Sequence, residues 1–252
     1  MDVDGTLLRS DNTLSERNAA AVAAAVRLGW RVLLATGKPP WAIRQLAARL
    51  DLDGPHIVAN GSALWAESSG TEMLARIPDT GVRRSLAFGA RHGVPRAISG
   101  PHGVFTEPTW GVPAVAAALR EVGEEAPTVV ADATAMEPDP WKIILILREG
   151  TAHPSVPVIE GGQWVRTGPA FYETLPAGAS KATAMRLLCA RLRVAQSEVV
   201  AFGDSENDLE LLGWAGRGIA MAHAPAAVRA AAGVVTAGND EDGVAQALEP
   251  LL

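Results

Sequence analysis

The chain has 252 residues, of which 48% are hydrophobic and 20% are charged. This balance excludes an intrinsically disordered protein, because the chain carries enough apolar surface to offset the entropy lost on ordering. The net charge of -6 and the isoelectric point near 5.4 argue against a general nucleic-acid binder or a binder of anionic membranes. No apolar run approaches transmembrane length, and acids stand where a signal peptide would have basic residues, so we expect a cytoplasmic protein.

The N-terminal part alternates helical and strand-like patterns. Thr13 and Glu16 have the spacing of a capping box in front of an alanine-rich helix predicted over 18–28. A strand is predicted over 30–35, and it stops at Thr36-Gly37-Lys38. A helix over 41–50 and a strand over 56–59 follow, and the second strand stops at Asn60-Gly61-Ser62.

The C-terminal part repeats this alternation. The pattern predicts helices over 181–192, 225–231 and 243–248 and strands over 199–202, 219–221 and 234–236. Polar residues 203–208 follow the first of these strands and open a further helix. Because ligands of open α/β sheets bind at the carboxyl ends of the strands, we expect the functional site at this edge.

The middle of the chain differs in composition from both ends. It is rich in proline and glycine and carries predicted strands over 142–147 and 171–175. We therefore predict an α/β protein with a parallel-sheet core formed by 1–78 and 177–252, and an inserted α+β module formed by 79–176.

Two carboxylates, Asp2 and Asp4, lie two residues apart in front of Gly5. If Asp2 ends a strand, both side chains can lean over one site, where one attacks phosphorus and the other exchanges a proton with the leaving group. The segment Asp51-Leu52-Asp53-Gly54 has the same D-x-D-G letters, but it follows a helix and precedes Pro55, so we interpret it as a loop.

Other polar residues supply what phosphoryl transfer requires around a dianion. Thr36 and Gly37 offer a hydroxyl and backbone N–H groups, Lys181 offers a cation, and Asn207 offers an amide donor. Asp204 and Asp208 offer oxygen ligands for a hard cation, and Mg²⁺ suits such a set because it binds few carboxylates and keeps water and phosphate oxygens as its other ligands.

The order D-x-D-G-T, strand-Thr-Gly, Lys and G-D-x-x-N-D resembles the haloacid dehalogenase (HAD) superfamily. An insert after the second motif and before the lysine resembles the Cof-type branch with its C2-type cap, and Asn60-Gly61-Ser62 resembles the Asn-Gly-Ala turn of that branch. The resemblance implies a Rossmann-like parallel-sheet core, an inserted α+β cap that governs substrate specificity, and hydrolysis of small phosphorylated metabolites such as sugar phosphates or phosphorylated cofactors.

The resemblance also implies roles for individual residues. Asp2 would be the nucleophile that forms an aspartyl-phosphate, and Asp4 the general acid and base. Mg²⁺ would be held by the Asp2 side chain, the Asp4 backbone carbonyl and Asp204, with Asp208 supporting it. Four residues would hold the phosphate: Thr36, Gly37, Lys181 and Asn207.

Three positions depart from the family pattern. Lys38 stands where arginine is usual and keeps the charge without the planar fork, and His223 stands where the branch often has asparagine. Only Met1 precedes Asp2, whereas the family has an apolar strand there. The hypothesis is that the natural start lies upstream, and an intact mass of the native protein matching a start at Met1 would contradict it.

Two other functions compete with hydrolysis. A phosphotransferase of the phosphosugar mutase type uses similar aspartates, and phosphate release without a bisphosphate activator would favour the hydrolase. A non-catalytic phospho-ligand-binding protein would bind tightly without turnover. The sequence indicates neither the physiological substrate nor the oligomeric state.

Overall fold

The computed structural model describes residues 1–147, 157–167 and 171–252. The contacts divide the chain into two compact units, one formed by Met1–Glu72 with Ser180–Leu252 and the other by Met73–Ala179. The division predicted from the sequence lies at 78/79 and 176/177. Residues 148–156 and 168–170 of the predicted insert lie outside the described residues.

The helices and strands of the described residues follow in chain order. The helices are α1 (Glu16–Arg27), α2 (Pro40–Arg49), α3 (Asp79–Arg91), α4 (Val112–Glu121), α5 (Ala133–Met136), α6 (Lys181–Leu192), α7 (Leu209–Trp214), α8 (Ala226–Ala231) and α9 (Gly243–Leu248). The strands are β1 (His56–Val58), β2 (Ala63–Ala66), β3 (Gly70–Met73), β4 (Arg96–Gly100), β5 (Gly103–Thr106), β6 (Thr128–Val129), β7 (Lys142–Ile146), β8 (Gly162–Arg166), β9 (Phe171–Pro176), β10 (Val200–Gly203), β11 (Arg217–Ala220) and β12 (Val234–Val235).

The first unit contains a parallel sheet in the order β10-β11-β12. Backbone hydrogen bonds extend this parallel arrangement beyond β10, because the N–H of Asp2 donates to Phe202 and the N–H of Ala35 donates to Met1. A parallel bridge then joins Ala35 to Ile57 of β1. The carboxyl ends of these segments lead into the loops that carry the polar residues singled out above.

The strand predicted over 30–35 was wrong, because this segment does not form a regular strand. Within the described residues the segment forms one bridge, at Ala35. Its backbone contacts to neighbouring segments lie near its carboxyl end, where the Met1 ammonium donates to the carbonyl of Leu33 and the N–H of Ile57 donates to the carbonyl of Leu34. Trp30 and Val32 line an apolar cavity of about 380 Å³ together with Val200.

The N-terminus of α1 also differs from the prediction. Ser15 caps this helix, since its hydroxyl accepts a hydrogen bond from the N–H of Asn18 at 3.1 Å. Thr13 instead donates its hydroxyl to Asp11. The predicted capping box of Thr13 and Glu16 was therefore wrong, because the cap lies two residues later, at Ser15.

The second unit contains a six-stranded sheet in the order β6-β5-β4-β7-β9-β8, antiparallel except for the pair β5 and β6. Alternate residues of β7 enter two apolar clusters. Ile143 and Leu145 pack with Phe88 of α3, and Ile144 packs with Leu119 of α4. The predicted α/β class, with a parallel-sheet core and an inserted α+β part, is confirmed.

The helices of residues 1–147, 157–167 and 171–252 were all considered as possible membrane spans by their length and composition. None of these helices combines the length and the apolar character that crossing a bilayer would require.

His56 makes the stability of the first unit depend on pH. The imidazole is buried, and its Nδ1 accepts a hydrogen bond from the N–H of Leu34 at 3.2 Å while Nε2 lies 3.4 Å from the carbonyl oxygen of Leu52. Burial lowers the pKa of His56 from 6.5 to about 4. Between these values the unfolded chain binds more protons than the folded chain, so stability is lost as the pH falls from 6.5 towards 4, by about 3 kcal/mol in all.

Urea denaturation between pH 7 and pH 4 checks this expectation. The replacement His56→Gln keeps a donor and an acceptor but does not titrate, so the pH dependence should shrink by the stated amount. Equal pH dependence in the wild type and in His56→Gln would contradict the assignment.

Candidate active site

A buried lysine lies between two aspartates in the first unit. Lys181 is the first residue of α6, and its Nζ donates to Oδ1 of Asp2 and to Oδ1 of Asp208, each at 2.7 Å. Lys181 is 1% exposed, Asp208 is 0% exposed and Asp2 is 6% exposed. The fold thus brings together three predicted site residues that are far apart along the chain.

Asp204 follows β10 and is held by several neighbours. Its Oδ1 accepts a hydrogen bond from the hydroxyl of Thr6 at 2.7 Å, and its Oδ2 accepts one from Ser205 at 3.1 Å. Nε2 of His223 lies 3.7 Å from the same Oδ2. Gly5, with φ of +70°, is required here because a Cβ at this position would lie 2.6 Å from Oδ2 of Asp204. The carboxylate therefore has a fixed orientation.

Asp208 shapes the turn that carries Asp204. Its Oδ2 accepts the backbone N–H groups of Asp204 and Ser205, both at 3.1 Å. A Cβ on Gly203 would lie 2.5 Å from the Asp208 side chain, so only glycine allows this close approach. Asp208 thus pairs with Lys181 through one oxygen and orders the Asp204 turn through the other.

Burial and neighbouring groups shift the pKa values of Asp2, Lys181 and Asp204 from their ordinary values. Burial and the nearby carboxylate of Asp208 raise the pKa of Asp2 well above its usual value, against the opposing effect of Lys181. Burial disfavours the ammonium of Lys181, but Asp2 and Asp208 outweigh it and raise the lysine pKa. Burial likewise disfavours ionised Asp204, but the nearby His223 imidazole and the hydrogen bond from Thr6 outweigh it and lower its pKa.

Asp4 pairs with Lys38. The Lys38 Nζ is 3.2 Å from Oδ1 of Asp4, and that oxygen is buried although the side chain as a whole is 37% exposed. Burial raises the pKa of Asp4, and the ion pair with Lys38 partly offsets the rise. Burial thus favours the protonated form of this carboxyl group more than in a solvent-exposed aspartate.

The predicted phosphate-binding residues occupy neighbouring loops. Thr36 is buried, and its Oγ1 accepts a hydrogen bond from the N–H of Lys38 at 3.1 Å. Asn207 donates its side-chain amide to Oδ1 of Asn60 at 2.8 Å, and Gly37 approaches the Asn60 side chain so closely that a Cβ would lie 3.0 Å from Nδ2. Binding of phosphate by Thr36, Gly37, Lys181 and Asn207 stays a prediction.

Comparison with known families decides the classification. A model of haloacid dehalogenase-like hydrolases matches residues 1–248. The chain belongs to this family. The resemblance inferred from the motifs is thereby confirmed, and the chain is a hydrolase of the phosphatase type that acts on small phosphorylated metabolites.

Named relatives of this haloacid dehalogenase-like hydrolase differ in substrate. It is 27% identical over 265 residues to the 5-amino-6-(5-phospho-D-ribitylamino)uracil phosphatase YitU of Bacillus subtilis (strain 168), with 99% of this chain and 95% of YitU covered. It is 30% identical over 254 residues to a phosphoglycolate phosphatase of Natronomonas pharaonis, with 99% and 95% covered. The HAD subclass IIB sugar phosphatase BT4131 has a similar structure, with a TM-score of 0.88, 25% identity, and 99% and 96% of the two chains covered.

The family implies a divalent metal ion, and the carboxylates of the first unit fit one. Ligand atoms of Asp2, Asp204 and Asp208 all lie within 4.8 Å of one another. When ionised, these three carboxylates carry three negative charges, and the ammonium of Lys181 pairs with two of them, those of Asp2 and Asp208. Such an oxygen donor set suits a hard divalent cation. The Asp4 carboxylate is not part of the trio, and a ligand role for its backbone carbonyl stays a prediction.

Sequence reasoning missed the residues that hold Asp204. Thr6 and Ser205 lie within the motifs themselves, so their position beside two key aspartates was a usable signal. His223 was noted only as a departure from the family pattern, and its approach to Asp204 depends on how the chain folds back after β11.

Proposed function

We propose that this hydrolase removes phosphate from sugar phosphates or phosphorylated cofactors through an aspartyl-phosphate on Asp2, with Asp4 as general acid and base and Mg²⁺ as the metal ion. The observation that carries the proposal is the ammonium of Lys181 between Asp2 and Asp208. A cation at this place orients the Asp2 carboxylate and offsets its repulsion of an incoming phosphate dianion.

The first step forms the covalent intermediate. An oxygen of the Asp2 carboxylate attacks phosphorus, and the bond between phosphorus and the leaving oxygen breaks. Asp4 gives its proton to that oxygen, so the leaving group departs as a neutral hydroxyl. The raised pKa of Asp4 favours the protonated form that this step needs.

The second step releases phosphate. Asp4, now ionised, takes a proton from a water molecule whose oxygen attacks phosphorus, and the bond to Asp2 breaks with return of its carboxylate. In both steps Lys181, Asn207, Thr36 and Gly37 would donate to the phosphoryl oxygens, where negative charge gathers.

The metal ion would be held by Asp2 and Asp204, with Asp208 in support. When bound, Mg²⁺ supplies positive charge that polarises the phosphoryl group and reduces its repulsion by the carboxylates. The contacts of Thr6 and Ser205 to Asp204 would keep that ligand in place.

We propose the second unit as the cap that selects the substrate. The relatives act on a ribitylaminouracil phosphate, on phosphoglycolate and on sugar phosphates, so a shared catalytic core serves several leaving groups. Variation of this kind is expected to reside outside the motif residues of the core.

Phosphate release from a panel of sugar phosphates, phosphoglycolate, flavin mononucleotide and pyridoxal phosphate tests the proposal. We expect turnover with Mg²⁺ and no bisphosphate activator, a loss of at least about 100-fold with EDTA, and recovery when Mg²⁺ is restored. Transfer of phosphate between sugars without release would favour the mutase-like alternative. Tight binding without turnover would favour a binding protein.

A further inference from the structure

The turn Ala59–Gly61 has an unusual backbone. All three residues have positive φ values, +48° at Ala59, +55° at Asn60 and +89° at Gly61. Side chains other than glycine rarely adopt this region, and such conformations persist where the surrounding structure requires them, commonly at functional sites. The proposed function assigns this turn no role. The side chain of Asn60 is nevertheless buried, with 1% of its surface exposed.

The turn contacts the loop that carries Thr36 and Gly37. The N–H of Asn60 donates to the carbonyl of Thr36, and the N–H of Ala59 donates to the carbonyl of Lys38, both at 3.0 Å. The Asn60 side chain lies against Gly37, where a Cβ would come 3.0 Å from its Nδ2. The left-handed backbone therefore places the Asn60 amide directly on a predicted phosphate-binding loop.

The same turn contacts the other two phosphate-binding segments. Oδ1 of Asn60 accepts the side-chain amide of Asn207 at 2.8 Å, across 147 residues of chain. A Cβ on Gly61 would lie 2.1 Å from the carbonyl oxygen of Ser180, the residue that caps α6 in front of Lys181. One turn thus touches the segments that carry Gly37, Asn207 and Lys181.

We infer that Asn60 is a positioning residue that fixes the side-chain amide of Asn207 beside Gly37 for binding of a phosphoryl group. The inference rests on the proposed function, since it assigns phosphate binding to Asn207. An asparagine amide that is free to rotate presents its oxygen or its nitrogen to an anion, and acceptance by Oδ1 of Asn60 keeps the nitrogen of Asn207 oriented as a donor.

Inorganic phosphate in the presence of Mg²⁺ is the probe, because its affinity can be measured by calorimetry without turnover. Asn60→Gly suits the test, since glycine tolerates the positive φ and only the side-chain amide is lost. We expect phosphate affinity and kcat each to fall about 10-fold when measured well below the urea midpoint, which the loss of one buried hydrogen bond should lower. Asn12→Gly is the matched control, because Asn12 is exposed and also has a positive φ, +63°, and it should change neither affinity nor kcat.

A double-variant cycle separates positioning from general support of the fold. If Asn60 acts through Asn207, Asn60→Gly should have no further effect on phosphate affinity in an Asn207→Ala background. Additive losses, or wild-type affinity in Asn60→Gly, would overturn the inference. A wild type that binds phosphate but turns over no substrate would refute the proposed function alone. The phosphate affinities of the single and double variants would still test the role of Asn60. A wild type that binds no phosphate would refute both.

Discussion

Replacing Lys181 by methionine is expected to lower the free energy of unfolding by about 3 kcal/mol and kcat by about 1,000-fold. The ammonium is the shared partner of Asp2 and Asp208, at 2.7 Å from each, and methionine has a similar volume without the charge. The two carboxylates would then remain buried and face each other without compensation. Urea denaturation in EDTA and steady-state kinetics with Mg²⁺ measure the two effects separately.

Two further variants give this prediction a control and a rescue. Arg186→Met, on the same helix, breaks an exposed ion pair with Glu210 and is expected to cost less than about 1 kcal/mol. Adding Asp208→Asn to Lys181→Met removes one of the uncompensated charges, so most of the stability should return while kcat stays low. A Lys181→Met variant as stable as Arg186→Met would contradict the account of a charge-balanced buried cluster.

Much of the candidate site was predictable from the sequence because its chemistry depends on charged side chains at strand ends. Asp2, Lys181 and Asp208 converge although 179 residues separate the first two. The carboxyl ends of parallel strands meet at one edge of a sheet, so polar residues that follow such strands are brought together by the topology. The parallel sheet of the core was predictable because short strand-like runs alternate with helical patterns at both ends of the chain.

Features that depend on a tertiary partner were not predictable. The segment 30–35 has strand-like composition, but whether it forms a ladder depends on a neighbouring backbone that local pattern does not contain. Ser15 caps α1, and Thr13 does not, because the hydroxyl of Thr13 donates to Asp11. The amide pair of Asn60 and Asn207 carries no charge or periodicity that a sequence pattern could reveal.

Asp2→Asn is expected to lower turnover by at least about 10,000-fold, because an amide oxygen is a poor nucleophile and no covalent intermediate can form. Asparagine has nearly the same shape, and it avoids a buried negative charge next to Asp208. Burial and Asp208 are the forces that raise the pKa of Asp2, and they disfavour its ionised form in the metal-free protein. The free energy of unfolding in EDTA should therefore rise, by about 1 kcal/mol.

This combination of lost activity and gained stability distinguishes a nucleophile from a structural aspartate. The control is Asp51→Asn in the second D-x-D-G segment, where Asp51 is exposed with a φ of +55° that asparagine tolerates, and it should change neither quantity. Rapid quenching of the wild type with substrate, followed by mass spectrometry, should find a phosphoryl group on the peptide that contains Asp2, and none in Asp2→Asn. A phosphoryl group on a peptide that does not contain Asp2, or a phosphorylated intermediate in Asp2→Asn, would refute Asp2 as the nucleophile.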